Sequence, residues 1–252
     1  VNDPHVEQLH YRLVHGGAVT YVDCEPVERE TDAFRLRLAD NKLTVEMNEH
    51  HPTAEEAQAV VEPFLRTWEI YIALERGKGA LGFVFEKADV IDRNPPPPGG
   101  DQVLRGSRIS EPMRAHRGSL HATNTRYPTP PSAFVASPDV DTLWHRYERY
   151  LDGREPVASM AYFCLTVVTN VPGGRRAAAS LLGISDGLLN KIGELTARGR
   201  KHLPQEDPLS AAEDAWLDGA VKLLIRRVGE VAADPSAAAS KITLRDHPLP
   251  RS

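Results

Sequence analysis

A chain of 252 residues with 41% hydrophobic and 26% charged side chains is long enough to bury a core, as one large domain or two small ones, and this excludes disorder of the whole chain. A formal charge of −5 excludes recruitment of nucleic acid or anionic membrane by the global field, so any such contact has to come from a local basic patch. Cys24 and Cys164 make neither a disulfide framework nor a zinc site, and both sit in apolar surroundings that suit small buried side chains in a reducing compartment.

No segment reaches the ~18 consecutive apolar residues of a membrane span. The most apolar stretch, residues 157–168, is interrupted by Ser159 and Thr166 and reads as a core helix. Val1-Asn2-Asp3-Pro4-His5 carries neither the basic nor the apolar run of a signal peptide, so a cytoplasmic location without membrane contact is expected.

The first half reads as strands. Residues 9–14 and 18–24 are β-prone runs separated by His15-Gly16-Gly17, which predicts a hairpin. Phe34, Leu36 and Leu38 alternate with Arg35 and Arg37, and Leu43, Val45 and Met47 alternate with Thr44 and Glu46. Asp40-Asn41 between them is a turn-forming pair, so residues 33–47 are expected as a second hairpin with one wet face. Thr53 and Glu56 form a capping box, and Ala57, Val60, Val61, Phe64, Trp68, Tyr71 and Ile72 then recur at helical spacing. Pro63 removes a backbone donor inside that run and is expected to bend the helix, which Gly77-Lys78-Gly79 ends. Leu81, Phe83 and Phe85 alternate as a further strand, continuing through Val90 and Ile91. Residues 1–93 therefore predict a small antiparallel sheet with one covering helix.

Residues 94–137 break the pattern. Pro95 to Pro98 are followed by two glycines and then by scattered prolines, which predicts a proline-rich linker with a stiff start and an irregular arm. Ser137-Pro138 is a good helix start, and the helix after it carries Leu143, Trp144, Tyr147, Tyr150 and Leu151. Residues 155–170 are apolar nearly all round and predict the buried centre of a bundle. Two short helices are expected at 175–182 and 186–198, and a long one runs from a Ser210/Glu213 capping box with Trp216, Ala220, Leu224 and Val228 inward. Trp144, Tyr162, Phe163, Leu181, Leu189, Trp216 and Leu224 are expected in one core. The fold class is thus α+β, with an all-helical bundle over 138–232 and a pattern-poor tail over 233–252.

The densest motif runs from Ala178 to Ile192. Ala179 is small where two helices must touch, and Gly183 sits where a positive φ is cheap for glycine alone. Ile184, Leu189 and Ile192 are spaced to fill the wedge between the helices. Residues 175–195 resemble the helix-turn-helix of bacterial DNA-binding regulators. That resemblance implies phosphate contacts from Arg175 and Arg176 at the start of the first helix, and base-edge contacts from Asn190, Lys191 and Glu194 on the second. The second helix opens with Asp186 and Gly187, a negative charge and no reading side chain. Between 171 and 202 the basic residues are Arg175, Arg176, Lys191, Arg198, Arg200 and Lys201, and the acidic ones are Asp186 and Glu194. Arg175, Arg176, Asn190, Lys191, Arg198, Arg200 and Lys201 are therefore the candidate contact set for nucleic acid or for a protein partner. The plain alternative is a helical hairpin with solvated arginines. A homodimer is expected under the nucleic-acid reading, because one modest site binds weakly.

In outline the helical half also resembles the HEPN-type RNases, which carry an Arg and a His separated by four to six residues. Arg198 and His202 are separated by three, and the pair with the family's spacing, Arg114 and His121, lies in the arm, so no catalytic residue is assigned. Glu46, Glu49, His50 and His51 cluster, but adjacent histidines in an extended chain point to opposite sides, and no metal or cofactor is assigned. Neither a phosphate-binding glycine loop nor a Gly-x-Ser-x-Gly elbow appears. A non-enzymatic binding or adaptor protein is the expected function. An RNase or other enzyme with an unrecognised site and a structural component of a larger assembly are the alternatives.

Overall fold

The alternation over residues 34–47 folds as written, and the rest of the first unit is built outward from it. The computed structural model describes residues 2–16, 19–94, 122–170, 172–198 and 209–248. The chain divides into two units, residues 1–131 and 132–252. The first contains β1 (Pro4–Val14), β2 (Val19–Glu25), β3 (Val27–Glu30), β4 (Phe34–Ala39), β5 (Lys42–Met47), α1 (Ala54–Arg76), β6 (Gly82–Asp92) and β7 (Ala122–Arg126).

Five strands form an antiparallel sheet in the order β3-β4-β5-β1-β6. Leu36 and Leu9 both face Val45, and Leu38 and Tyr11 both face Leu43, so one side of the sheet is a continuous apolar layer. Full burial of each such Leu or Val is worth about 1.5–3 kcal/mol. Asp40 and Asn41 have φ of 51° and 58°, the left-handed pair that a two-residue hairpin turn requires. Helix α1 covers the apolar layer with Val61, Leu65, Trp68 and Ile72. Its first turn is closed by the Thr53 hydroxyl, which accepts the Glu56 N–H at 3.2 Å. The helix is continuous through Pro63, which sits on its exposed side.

The hairpin expected over residues 9–24 does not form. β1 has β5 on one side and β6 on the other, so neither edge is left for β2. β2 pairs instead, in parallel, with β7 from the end of the proline-rich segment. The Tyr21 hydroxyl donates to the Ala80 carbonyl at 3.0 Å, and the Tyr127 hydroxyl accepts the Asn41 N–H at 2.9 Å. These bonds tie the strand pair to the loop after α1 and to the β4–β5 turn. Residues 122–131 therefore belong to the first unit and 132–137 to the second, whereas 95–121, the bulk of the expected arm, lie outside the described residues.

The second unit contains α2 (Pro138–Leu151), α3 (Val157–Asn170), α4 (Arg175–Leu182), α5 (Asp186–Arg198) and α6 (Ala211–Ala233), followed by a 3-10 turn at Pro235–Ala239. Helix α3 packs against α2, α4, α5 and α6. Trp144, Leu189, Trp216 and Leu224 are buried as expected, but Tyr162 and Leu181 are 42% and 56% exposed. A helix apolar all round does not reveal which side its neighbours leave open, and on α3 that side carries Ser159, Tyr162 and Thr166.

Of the expected tail, residues 235–247 are docked on the helices. Arg227, only 4% exposed, donates to the carbonyls of Ala237 and Ser240. The Ile242 N–H donates to the Gly183 carbonyl and the Ser185 N–H to the Ile242 carbonyl, both at 2.8 Å. The Trp216 and His247 rings lie tilted against each other with centroids 5.0 Å apart, and the Trp216 indole N–H donates to the His247 carbonyl at 3.2 Å. Backbone bonds, one buried arginine and the Trp216–His247 contact hold this segment, so it shows no hydrophobic period. Among the described residues no single helix is long and apolar enough to cross a membrane.

Candidate functional site

Helices α4 and α5 meet at a turn made by Gly183, Ile184 and Ser185. Gly183 has φ 60° and ψ 37°, the left-handed conformation that a residue with a Cβ adopts only at a cost. The carbonyl of Ala238 also lies against its Cα, where any side chain would collide. Ala178, Ala179 and Leu182 on α4 and Leu188, Leu189 and Ile192 on α5 are buried with Ile184 between them. The Ser185 hydroxyl caps α5 by accepting the Leu188 N–H at 3.3 Å. The wedge expected from Ile184, Leu189 and Ile192 is thus in place.

The outward surface of this element is formed by Arg175, Arg176, Ala177, Ser180 and Leu181 on α4 and by Asp186, Gly187, Asn190 and Glu194 on α5. Arg175 reaches across the helix pair and donates to the Asn190 side-chain oxygen at 3.2 Å. Its guanidinium lies directly over Gly193, in the space a Cβ would take. Gly193 follows Asn190 by three residues, so a glycine and an amide on one helical stripe were the signal for this seat. Gly174 caps α4 without any side-chain hydrogen bond, and the first turn of α4 carries no acidic residue. With no acidic residue in that turn and Arg175 and Arg176 carried by it, the amide dipoles there suit an incoming anion.

Two of the remaining candidate cations, Lys191 and Arg198, are answered from within the chain. Lys191 pairs with Glu194 at 2.7 Å, and Arg198 pairs with Glu213 at 2.7 Å. Glu213 also accepts the Ser210 N–H at 2.9 Å, and that bond, followed by Arg198, holds its carboxyl below the usual range. Arg200 and Lys201 lie outside the described residues, as do His202, Arg114 and His121 of the Arg/His comparison. The structure therefore brings Arg175 and Asn190 into contact, leaves Arg176 exposed in the same turn of α4 as Arg175, and turns Lys191 to Glu194 and Arg198 to Glu213 on α6.

A second concavity of about 400 Å³ lies between α2 and α3, lined by Asp141, Thr142, His145, Arg146, Arg149 and Phe163. The Arg146 guanidinium stacks 4.7 Å from the Phe163 ring centroid and pairs with Glu155, whose side chain is 5% exposed. Arg149 adds a second cation 3.9 Å from Glu155. With Glu155 and Asp141 set against Arg146 and Arg149, the groove offers an incoming anion little net charge. Cys164 is buried and its thiol is pushed up to about 12 by desolvation, which leaves it unreactive at neutral pH.

Glu46, Glu49, His50 and His51 do not converge. His50 stacks on His5 with ring centroids 5.4 Å apart, and the His51 carbonyl accepts the Val6 N–H at 2.8 Å. Among the described residues no group of three His, Cys, Asp or Glu side chains is placed to hold a metal ion. No family model, curated protein or solved structure matches the chain.

Proposed function

We propose that the protein is a binding protein whose α4–turn–α5 element contacts nucleic acid, with phosphates at the α4 N-terminus and base edges facing Asn190. The observation that carries this reading is the first turn of α4, which has no side-chain cap and exposes Arg175 and Arg176 beside an Asn190 already oriented by Arg175. Lys191 and Arg198 spend their charge on Glu194 and Glu213, so affinity for one copy is weak and strongly dependent on salt. The test is fluorescence anisotropy of labelled duplex DNA at low salt, with the unmodified chain and with Arg175→Ala/Arg176→Ala. Binding that the double change abolishes supports the reading. Absence of binding by the unmodified chain, or binding that survives the change, defeats it.

A protein partner is the second reading, and one observation favours it. Leu181 is 56% exposed on the same surface, between Ala177 and Ser180 on one side and the α4–α5 turn on the other. An exposed leucine on a surface whose lysine is already paired suits a protein better than a phosphate backbone.

A further inference from the structure

The two edges of the five-stranded sheet differ. β3 is four residues long, and Glu28 and Glu30 on it pair back to Arg37 and Arg35 of β4. A short, charged edge strand resists pairing with another chain. β6 is eleven residues long and bears Phe83, Phe85 and Ala88, all partly buried against the core, with Val90 and Ile91 exposed at 43% and 42%. Its ends are tied. The Glu69 carboxylate accepts the Phe83 N–H at 2.8 Å, and the Asp92 carboxylate accepts the amides of Asn2 and Asp3 at 3.0 Å. Between them, no strand among the described residues pairs with the outer side of β6.

We propose that the outer edge of β6 is the interface of a homodimer, in which two copies pair antiparallel about a two-fold axis between residues 86 and 87. The sequence of the strand selects this occupant. In that register Glu86 of each copy stands opposite Lys87 of the other, Phe85 opposite Ala88, and Val84 opposite Asp89. Faces match as well as charges. Phe85 and Ala88 both pack on the core side, whereas Glu86 and Lys87 make their ion pairs, with Arg12 and Asp89, on the solvated side. Glu86 is the extra residue of a bulge, since Lys87 pairs with His10 and Phe85 with Tyr11. A bulge normally turns an edge away from partners, but here it lies on the two-fold axis, so both copies bend alike and remain in register. Shifting the register by one residue would oppose Lys87 to Lys87 or Glu86 to Glu86, and like charges directly opposite are unfavourable. Pairing of this sheet closes after two copies, because it consumes the long β6 edge of each and leaves only the charged β3 edges of the five-stranded sheet.

Sedimentation velocity over a wide concentration range tests this with the full chain. A concentration-dependent dimer is expected. Glu86→Lys and Lys87→Glu singly should each raise the dissociation constant by roughly tenfold or more, because each turns two attractive cross-strand pairs into two repulsive ones. The double exchange, Glu86→Lys with Lys87→Glu, should return it to within roughly threefold, since it restores both cross-strand pairs. Within one chain the same exchange would set an ammonium beside the Arg12 guanidinium and a second carboxylate beside Asp89, so a role limited to intrachain ion pairs predicts no recovery. Circular dichroism of each variant checks that the sheet persists. A monomer at all concentrations, a dimer indifferent to the single changes, or a double exchange without recovery each overturns the proposal.

Discussion

The sheet unit and the helical unit place their charged groups in opposite ways. On the sheet, Arg12, Arg35 and Arg37 meet Glu86, Glu30 and Glu28 across neighbouring strands, with every side chain of these pairs at least 42% exposed. In the helical unit Glu155 and Arg227 are inside, with 5% of each side chain exposed. Exposed pairs exchange water for a partner at nearly equal energy, whereas a buried charge depends on its partner because water cannot replace it. The sheet should therefore tolerate loss of a charge that the bundle cannot.

The largest effect is expected from Arg146→Ala, which would leave the Glu155 carboxylate buried with Arg149 at 3.9 Å as its remaining ion-pair partner. Unfolding by urea, followed through Trp144 and Trp216, should show a loss of about 3–5 kcal/mol. A loss below about 1 kcal/mol would mean that this pair behaves like the surface pairs of the sheet. Apolar positions should not distinguish the units. Leu189→Ala in the bundle and Leu36→Ala in the sheet, both at 0% exposure, should each cost about 2–5 kcal/mol through the cavities they leave.

One buried group in the sheet unit breaks the rule and gives it a dependence on pH. His5 is buried, and its pKa is lowered first by desolvation, then by Arg93 and by His50 and His51, with Glu7 acting against them. His50 in turn lies 3.5 Å from Asp3. A folded pKa below the ordinary 6.5 means that the unfolded chain binds the proton more readily. The stabilisation is present above pH 6.5 and is lost as pH falls below that value toward the folded pKa. The urea midpoint reported by Trp68 should therefore drop between neutral pH and the onset of carboxylate titration. His5→Gln should flatten that drop, and an unchanged slope in the variant would place its origin elsewhere. The smallest effect is expected from Arg37→Ala, within about 0.5 kcal/mol of the unmodified chain.

Local chemistry settled what local chemistry can settle. The alternation of residues 34–47 with Asp40-Asn41 between, the Thr53 and Ser210 caps, and the spacing of Ala179, Gly183, Ile184, Leu189 and Ile192 each specify a structure within a few residues, and each is formed. The α+β class follows from them. Four outcomes depended on long-range competition. β1 took β6 rather than β2, because a buried strand is satisfied only with partners on both edges. Tyr162 and Leu181 stayed outside the core, because periodicity names an apolar face without naming its cover. Residues 235–247 docked through backbone bonds and Arg227, which leave no trace in a hydrophobic pattern. On the candidate surface, the sequence named Arg175 and Asn190 by type and spacing, and the two are in contact. The sequence could not show that Glu213, fifteen residues beyond Arg198, would take that cation, because an ion pair across two helices is decided only when the helices pack.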